Sequence, residues 1–457
     1  MTQGIGSAGT VDIRALIDEG RFSGLQRITF ALCFAIVLLD GFDTAAIGYI
    51  APSLITEWGG VTRPALAPVL SAALFGLAFG ALSAGPLADR FGRKAVLVAS
   101  VVELSLACLV SAFTGDLTQL VILRFLTGLG LGAAMPNAVT LTSEYCPASR
   151  RAFLTNMMFS GFPLGAAFGG FLAAWMIPLF GWRSVLVFGG VVPLVLALTL
   201  VVALPESLRY LVAKGAPAER IRKIVRHLAP EAAGAAVFTL GEPQAAPGAV
   251  QEKSGLALVL SPAYRVGSVM LWVTYFCGLV IFYALINWMP ILFRDAGVDP
   301  RNAALAAALF PLGGVGAIVL GLLMDRFNPN VMVAAGFLAT AAAVALIGQA
   351  GGHLGLLMVT VFVAGTLMNT AQSSLPALAA GFYPTQGRAT GVSWMLGLGR
   401  FGGIAGSFMV AQLAGLSLPT IFSVVAIPAL VAAAALVVKF VAHPHTAQPA
   451  VTLEPVH

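Results

Sequence analysis

The ten residues GPLADRFGRK (85–94) recur in the second half of the chain as GLLMDRFNPN (321–330). The two stretches keep Gly, Leu, Asp, Arg and Phe in register, at an offset of 236 residues. A second pair, EYCPASRRA (144–152) and GFYPTQGRA (381–389), shares Pro, Arg and Ala at an offset of 237 residues. The alternative is chance similarity between apolar helices, which the recurrence of polar loop residues disfavours. The sequence therefore predicts two duplicated halves.

The composition places these halves in a membrane. Of the 457 residues, 59% are hydrophobic and 10% are charged, whereas soluble domains carry about 25% charged residues. Many segments of about 20 residues are almost free of charge, and that length crosses a hydrocarbon core about 30 Å thick. The chain is therefore predicted to be an all-α, polytopic membrane protein. Scattered cysteines without metal or paired spacing predict free thiols: Cys33, Cys108, Cys146 and Cys277.

Hydropathy predicts twelve transmembrane helices in two pseudo-symmetric six-helix bundles. The first bundle has spans near 25–50, 65–88, 95–114, 118–142, 150–175 and 183–204. The second has spans near 266–292, 300–324, 330–349, 355–380, 389–413 and 418–441. Duplicated six-helix halves are the arrangement of secondary transporters whose binding site lies near the bilayer midplane, between the repeats.

The basic residues predict the orientation. With a cytoplasmic N-terminus, the cytoplasmic segments hold 19 of the 25 Lys and Arg residues and the external loops hold 4. This bias follows the positive-inside rule and places both termini in the cytoplasm. It also accounts for the net charge of +6 without a nucleic-acid partner. Residues 1–20 lack the apolar core of a signal peptide.

The predicted domains follow from the spans. Residues 1–204 form the first bundle, residues 266–441 form the second, and residues 442–457 are a cytoplasmic tail. The linker 205–265 is expected to begin with short amphipathic helices on the inner membrane surface. It continues over 231–255 as a segment of small residues, Pro and Gly, which is typical of a flexible linker.

The first loop motif sets an acid beside several bases at the end of span two. Gly85 is expected to allow close helix approach and a tight turn, and Asp89 is followed by the bases Arg90, Arg93 and Lys94. Such a cluster at a cytoplasmic helix end can latch one bundle to the other. The alternative is a solvated, positive-inside loop.

The second half repeats part of this pattern. Asp325 and Arg326 recur after span eight, which favours the latch, although DRFNPN lacks the later bases of the first motif. Arg151 and Arg388 recur after spans four and ten and are further predicted gating residues.

These motifs resemble the major facilitator superfamily over essentially the whole chain. The stretch at 85–94 is similar to its loop signature, RFLTGLGLG (124–132) to its span-four motif, and SGFPLGAAFGG (160–170) to its glycine-rich span-five motif. The resemblance implies the twelve-helix fold. It also implies that Glu144, beside Arg151, is an acidic gate residue, with a solvated surface ion pair as the alternative.

A narrower resemblance is to the aromatic acid:proton symporters, which take up 4-hydroxybenzoate, protocatechuate, benzoate, muconate and related acids. The chain looks closest to their 4-hydroxybenzoate/protocatechuate type. The stretches that carry the resemblance are LLDGFDTAAIGYIAP (38–52), MPNAVTLTSEYCP (135–147), INWMP (286–290) and ATGVSWMLGLGRFGG (389–403).

Five charged residues lie well inside the predicted spans, away from the span ends: Asp40, Asp43, Glu103, Arg124 and Arg400. Each costs roughly 2.5–3.5 kcal/mol at a helix centre, so such residues usually serve a function. Asp40 and Asp43 lie at i and i+3, close to one face of span one, and two nearby carboxylates resist double ionisation. They are the predicted proton site. Arg124 is expected at a similar depth, either as a state-dependent partner or as a static ion pair; Glu103 has no assigned role.

Arg400 is the predicted substrate-binding cation. It lies inside GLGRFGG (397–403), where the glycines are expected to clear space for a ligand. No acidic residue occurs in the spans predicted for the second half, so the favoured partner is the carboxylate of the substrate, held through two hydrogen bonds. The alternative is an ion pair with an acid of the first half, and the two partners can alternate during transport.

Further residues near the predicted cavity are expected to enclose a flat ring and bind its substituents. They are Tyr275, Phe276, Phe282, Tyr283, Asn287, Trp288, Gln372, Ser373, Ser374 and Trp394. For any single aromatic residue the alternative is packing or an interfacial anchor, as for Trp288 near the outer end of its span.

Taken with the resemblance, these features predict a secondary transporter of the inner membrane. It would take up an aromatic carboxylate with a proton by alternating access, as a monomer in the lipid bilayer, without metal ion or cofactor. The alternative is a proton-coupled exporter of small organic compounds or drugs on the same fold. A membrane enzyme is disfavoured because the sequence has no metal-ligand cluster, nucleophile–base constellation or phosphate loop. A passive channel is disfavoured by duplicated halves with latch motifs on one side.

Overall fold

Long apolar helices build most of the structure. A computed structural model describes residues 5–6, 10–20, 22–234, 237–240, 255–316, 328–350 and 352–443. The chain divides into two units, residues 1–249 with 299–308 and residues 250–298 with 309–457.

The first unit contains ten described helices. They are α1 (Ile13–Glu19), α2 (Gly24–Glu57), α3 (Arg63–Phe91), α4 (Arg93–Ser111), α5 (Leu117–Tyr145), α6 (Arg151–Phe159), α7 (Gly161–Phe180), α8 (Arg183–Ala203), α9 (Leu208–Ala213) and α10 (Ala218–Leu228). A 3₁₀ turn, Pro230–Gly234, follows α10.

The second unit is built from the later helices. They are α11 (Leu256–Val259), α12 (Arg265–Asp295), α14 (Pro329–Gln349), α15 (Leu354–Phe382), α16 (Thr385–Gln412) and α17 (Leu418–Ala442). Helix α13 (Pro300–Leu312) contains the boundary between the units and is followed by a 3₁₀ turn, Gly313–Gly316.

The helices confirm a multi-pass membrane protein. Among the described residues, ten helical segments are long and apolar enough to cross a membrane. The predicted eighth span, 300–324, lies partly outside the described residues, and the predicted eleventh span is helix α16, which is not one of the ten. The predicted fifth span, 150–175, is divided at Ser160 into α6 and α7. The count of twelve and the cytoplasmic termini stay predictions.

Helix α2 crosses α7 with the two backbones almost in contact. A Cβ atom on Gly41 would lie 1.9 Å from the carbonyl oxygen of Phe162, and one on Gly165 would lie 1.7 Å from the carbonyl oxygen of Leu38. Only glycine fits at such distances, so the glycine-rich motif of span five serves helix packing. This contact fixes the side of α2 that carries the two aspartates.

The substitution Gly41→Ala is expected to destabilise the first unit by about 1–3 kcal/mol, the usual cost of overpacking. A thermal unfolding curve in detergent would show a lower midpoint. The matched control is Gly381→Ala on α15, where an added Cβ meets no described atom within 4 Å. Equal midpoints for the two variants would contradict the close crossing.

A small sheet on the first unit was not predicted. Strand β1 (Ile5–Gly6) pairs antiparallel with β2 (Thr10–Asp12), and β2 pairs parallel with β3 (Val237–Thr239). The sheet joins the start of the chain to the stretch after α10. Its residues Val11 and Phe238 are buried in the same apolar cluster as Ile13, Leu208 and Val225, so the start of the linker packs onto the first unit.

Candidate functional site

Asp43 and Arg124 form a buried ion pair between α2 and α5. Arg124 Nη1 donates to Asp43 Oδ1 at 2.8 Å, and Nη2 donates to Oδ2 at 2.9 Å. Nη2 also lies 3.2 Å from the main-chain oxygen of Asp43. Arg124 is fully buried and Asp43 is 3% exposed. This bidentate geometry is the strongest form of a guanidinium–carboxylate contact, and it joins the two spans that the sequence predicted to meet.

Two further polar groups lie beside this pair. Asp40, one turn before Asp43 on α2, is 2% exposed, and the hydroxyl of Thr44 lies 3.4 Å from its Oδ1. The thiol of Cys108 on α4 lies 3.6 Å from Asp43 Oδ1 and 3.4 Å from the carbonyl oxygen of Leu186 on α8. Two carboxylates and one guanidinium are thus enclosed in the first unit.

In the second unit, Arg400 lies on α16 where this helix crosses α12. A Cβ on the neighbouring Gly399 would lie 2.2 Å from Tyr275 Cδ1, and one on Gly402 would lie 2.3 Å from the carbonyl oxygen of Phe276. These two glycines therefore admit α12. The expectation that they clear space for a ligand is wrong for both, because the aromatic ring and the backbone of α12 occupy that space.

Gln372 on α15 completes this level of the second unit. Its side chain enters the space left by Gly278, and its Nε2 donates to the main-chain oxygen of Tyr275 at 3.3 Å. Its Oε1 is buried and accepts no hydrogen bond from the described residues. A guanidinium, a tyrosine ring and an open acceptor thus lie on three neighbouring helices.

Other predicted ring-binding residues lie further along α12. Asn287 Nδ2 donates to the hydroxyl of Ser407 at 3.0 Å, and Trp288 Nε1 donates to the Ser407 main-chain oxygen at 2.9 Å. Twelve helical residues separate Tyr275 from Asn287, a rise of about 18 Å. One small aromatic acid cannot bridge both levels. Trp288 is fully buried, so the interfacial-anchor alternative is wrong for it.

The remaining predicted contacts are divided between these levels and the surface. Phe282 packs against Tyr283 and Phe310, at ring-centroid distances of 5.3 and 5.9 Å. Trp394 is 42% exposed and stacks on Trp272 at 5.9 Å. Ser373 and Ser374 both donate to the main-chain oxygen of Thr370, and Ser373 is exposed. Trp394 and Ser373 are therefore surface residues.

The predicted latch of the first half is centred on Arg93. Its Nη2 lies 3.4 Å from Asp89 Oδ1, and its Nε lies 3.8 Å from Glu144 Oε1. Its guanidinium also lies 5.6 Å from the ring centre of Tyr210. Asp89 is 74% exposed at its side chain, whereas Glu144 is 7% exposed and accepts a hydrogen bond from Ser207. Glu144 is therefore a packed residue, and the solvated-pair alternative is wrong for it.

The turn of this motif is made by Gly92, not by Gly85. Gly92 has a φ of +99°, which favours glycine. Gly85 lies within α3, is exposed, and an added Cβ there meets no described atom within 4 Å. The expected close helix approach at Gly85 is absent from the described residues.

Two acids of the latch were missed by the sequence analysis. Glu206 Oε1 accepts from the main-chain nitrogens of Lys94 and Ser207, at 3.1 and 2.8 Å. Asp18 on α1 accepts from the main-chain nitrogen of Ala148 at 2.7 Å and lies 3.6 Å from Arg151. Residues 184–203 carry no charge, so an acid three residues after the end of α8 was a usable signal for Glu206. No sequence pattern indicated Asp18, because its partners Ala148 and Arg151 are remote in sequence.

The last predicted residues are placed as follows. Arg90 lies 5.1 Å from the ring centre of Phe91, and its main-chain oxygen accepts from Tyr210. Arg388 is exposed on α16. Asp325 and Arg326 lie outside the described residues. Glu103 is half-buried on α4, where its Oε2 occupies the space that a Cβ on Gly130 would fill.

Known proteins match this chain over most of its length. The model of the Major Facilitator Superfamily matches residues 33–406 and 271–455. The 4-hydroxybenzoate transporter PcaK of Pseudomonas aeruginosa is 49% identical over 433 residues, covering 94% of this chain and 96% of that protein. The gallate transporter of Pseudomonas putida is 46% identical over 429 residues, covering 93% and 94%. The structure of the xylose transporter XylE from E. coli matches with a TM-score of 0.69 and 19% identity, covering 90% of this chain and 95% of that chain.

Proposed function

The chain belongs to the Major Facilitator Superfamily, and we propose that it takes up an aromatic carboxylate together with a proton. Membership makes it a multi-pass membrane transporter and not an enzyme. The proposed substrate class is that of 4-hydroxybenzoate and gallate, the acids named for two relatives that cover over nine-tenths of the chain. Because those relatives are bacterial, we place the protein in the inner membrane. We further propose that it acts as a monomer and transports by alternating access.

The observation that carries proton coupling is the charge of the buried cluster on α2 and α5. Asp40, Asp43 and Arg124 are all at most 3% exposed. Arg124 binds Asp43 through both of its terminal nitrogens. When all three groups are ionised, the two carboxylates and the one guanidinium carry a net charge of −1. A single proton makes the cluster neutral, and we assign it to Asp40. Buried charge opposes movement through a low-dielectric region, so neutralisation favours the transition.

In the proposed cycle, the substrate carboxylate binds Arg400 in the second unit. Arginine suits this role because its planar guanidinium can hold a carboxylate through two parallel hydrogen bonds. The ring lies against Tyr275, and a ring hydroxyl donates to Gln372 Oε1. The contacts that Arg93 makes with Asp89 and Glu144 break when the cytoplasmic side opens and form again when it closes. The carrier loaded with both proton and anion changes its access faster than the half-loaded carrier.

Reconstituted protein tests this function. Proteoliposomes with an acidic exterior are expected to accumulate labelled 4-hydroxybenzoate, and collapse of the pH gradient with an ionophore is expected to stop accumulation. A proton-coupled exporter would instead expel the label when the exterior is acidic and accumulate it when the interior is acidic, so the direction of net movement under the imposed pH gradient distinguishes it from a symporter. No stimulation by external acid for 4-hydroxybenzoate, protocatechuate, gallate or benzoate would reject the proposal.

Substitutions of the residues proposed to bind the two ends of the ligand should weaken the binding of different acids. Arg400→Lys is expected to weaken binding of 4-hydroxybenzoate and benzoate equally, by about tenfold or more, since a lysine cannot form the bidentate contact. Gln372→Leu removes the acceptor and is expected to weaken 4-hydroxybenzoate alone, by about fivefold to tenfold. Ligand-induced thermal shifts measure both affinities. Equal weakening of both acids by Gln372→Leu would contradict the assigned orientation.

A further inference from the structure

Lys439 is a buried cation in the last turn of α17. It is 1% exposed, and its Nζ donates to Asn330 Oδ1 at 2.6 Å. Its ammonium also lies 4.7 Å from the ring centre of Phe382, at the end of α15. In the part of the chain that the structure describes, no carboxylate lies within ion-pair distance of it. In the prediction of orientation, Lys439 is one of the 19 basic residues on the cytoplasmic side.

The first unit contains a similar contact between its third and sixth spans, but there the lysine belongs to the third span. Lys94, in the first turn of α4, donates through its Nζ to the main-chain oxygen of Val201, in the last turn of α8, at 2.8 Å. There a lysine at the start of the third span reaches the end of the sixth. In the second unit a lysine at the end of the last span reaches back to the start of α14.

The sequence repeat relates these two contacts directly. Lys94 and Asn330 are the last residues of the two repeated stretches and are 236 residues apart, which is the offset of the motif itself. At the same offset Lys439 is the counterpart of Ala203, the last residue of α8. The second loop motif has lost its lysine, and α17 has a lysine where α8 has an alanine.

We propose that Lys439 is a positioning residue that ties the end of the last span to the start of α14, taking the place of the lysine that the second loop motif lacks. Its Nζ donates to Asn330 in the first turn of α14 and faces the aromatic ring of Phe382, which stabilises a cation. A position in the last turn of α17 also favours a positive charge. Burial of an uncompensated charge opposes folding, so packing alone does not require the ammonium. The effect on uptake rests on the proposed transport function, whereas the contact itself does not.

Relocating the charge tests the proposal. Lys439→Met keeps the side-chain length and removes the ammonium. It is expected to raise amide exchange in the first turn of α14 about tenfold, because a hydrogen bond from a charged group is lost, and to slow uptake of 4-hydroxybenzoate at least about fivefold. The double variant Asn330→Lys with Lys439→Met restores the first-half arrangement. It is expected to recover both exchange protection and uptake. Lys214→Met, at an exposed lysine after α9, is the control.

The two readouts separate the contact from the transport function. If the folded Lys439→Met protein keeps wild-type exchange and uptake, or if the double variant is as defective as the single one, the proposal is wrong. If the wild-type protein moves no aromatic acid, the proposed function fails while amide exchange still decides the contact. If Lys439→Met does not fold, Asn330→Asp replaces it: the ion pair formed is expected to slow exchange in the first turn of α14, and unchanged exchange would overturn the contact.

Discussion

Asp43→Asn is expected to lower the free energy of unfolding by about 3–5 kcal/mol, because it leaves Arg124 as a buried charge without its carboxylate. Arg124 is fully buried and donates two hydrogen bonds to Asp43. An asparagine can accept one of them but cannot neutralise the guanidinium. The variant is expected to show a strongly reduced unfolding midpoint in detergent and no transport.

Two further variants show whether the charge is the cause. Asp43→Asn combined with Arg124→Gln removes both charges and is expected to recover most of the stability, since replacing a whole buried pair is often nearly neutral. Asp89→Asn makes the same chemical change at a side chain that is 74% exposed, and its midpoint is expected to stay within about 1 °C, because surface ion pairs contribute little. An Asp43→Asn protein as stable as the wild type would show that the pair is not ionised.

Asp40→Asn is expected to abolish accumulation while leaving exchange intact. A gradient of one pH unit is worth about 1.4 kcal/mol per proton and drives about tenfold accumulation of a monovalent acid. The variant cluster pairs one carboxylate with one guanidinium and has no second carboxylate to carry the coupled proton, so the ratio of internal to external substrate should fall to about one. Counterflow should continue, because the neutral form is the form that moves.

The comparison with Asp43→Asn is the sharp part of this experiment. Both changes replace an aspartate by asparagine on the same helix, three residues apart, yet they are expected to give opposite results in counterflow. Full accumulation by Asp40→Asn would reject Asp40 as the proton site. Loss of counterflow in a folded Asp40→Asn protein would reject the idea that neutralisation permits movement.

Hydropathy predicted the membrane helices well where their ends coincide with the edge of the apolar run. The span predicted at 183–204 is helix α8, Arg183–Ala203. Helix α2 runs to Glu57, seven residues beyond its predicted end. Hydropathy reports where side chains prefer lipid, whereas a helix ends where its backbone is capped. Glu57 accepts hydrogen bonds from Trp182 and Arg183, so a remote contact holds this extension.

The site was predictable where function forces polar residues into apolar helices. Asp43 and Arg124 meet as expected because buried charges of opposite sign require each other. Lys439 escaped notice because a lysine near a helix end is normally a solvated charge, and only packing shows that it is buried. The ring-binding set was too broad because the sequence gives the helix of a residue but not its level. From the sequence, Asn287 and Gln372 were equally good candidates for binding the ring. The structure separates them, because Gln372 contacts Tyr275 and Asn287 lies about 18 Å further along α12.

The parallel pairing of β2 with β3 imposes an order on biogenesis. Residues 10–12 leave the ribosome first, but their hydrogen-bonding partners at 237–239 are translated only after α2 to α10. The amino-terminal strand therefore has no β3 partner until α2 to α10 have been synthesised. A nascent chain stalled before residue 237 would expose that strand, so its protection from protease would report that the first half has been completed.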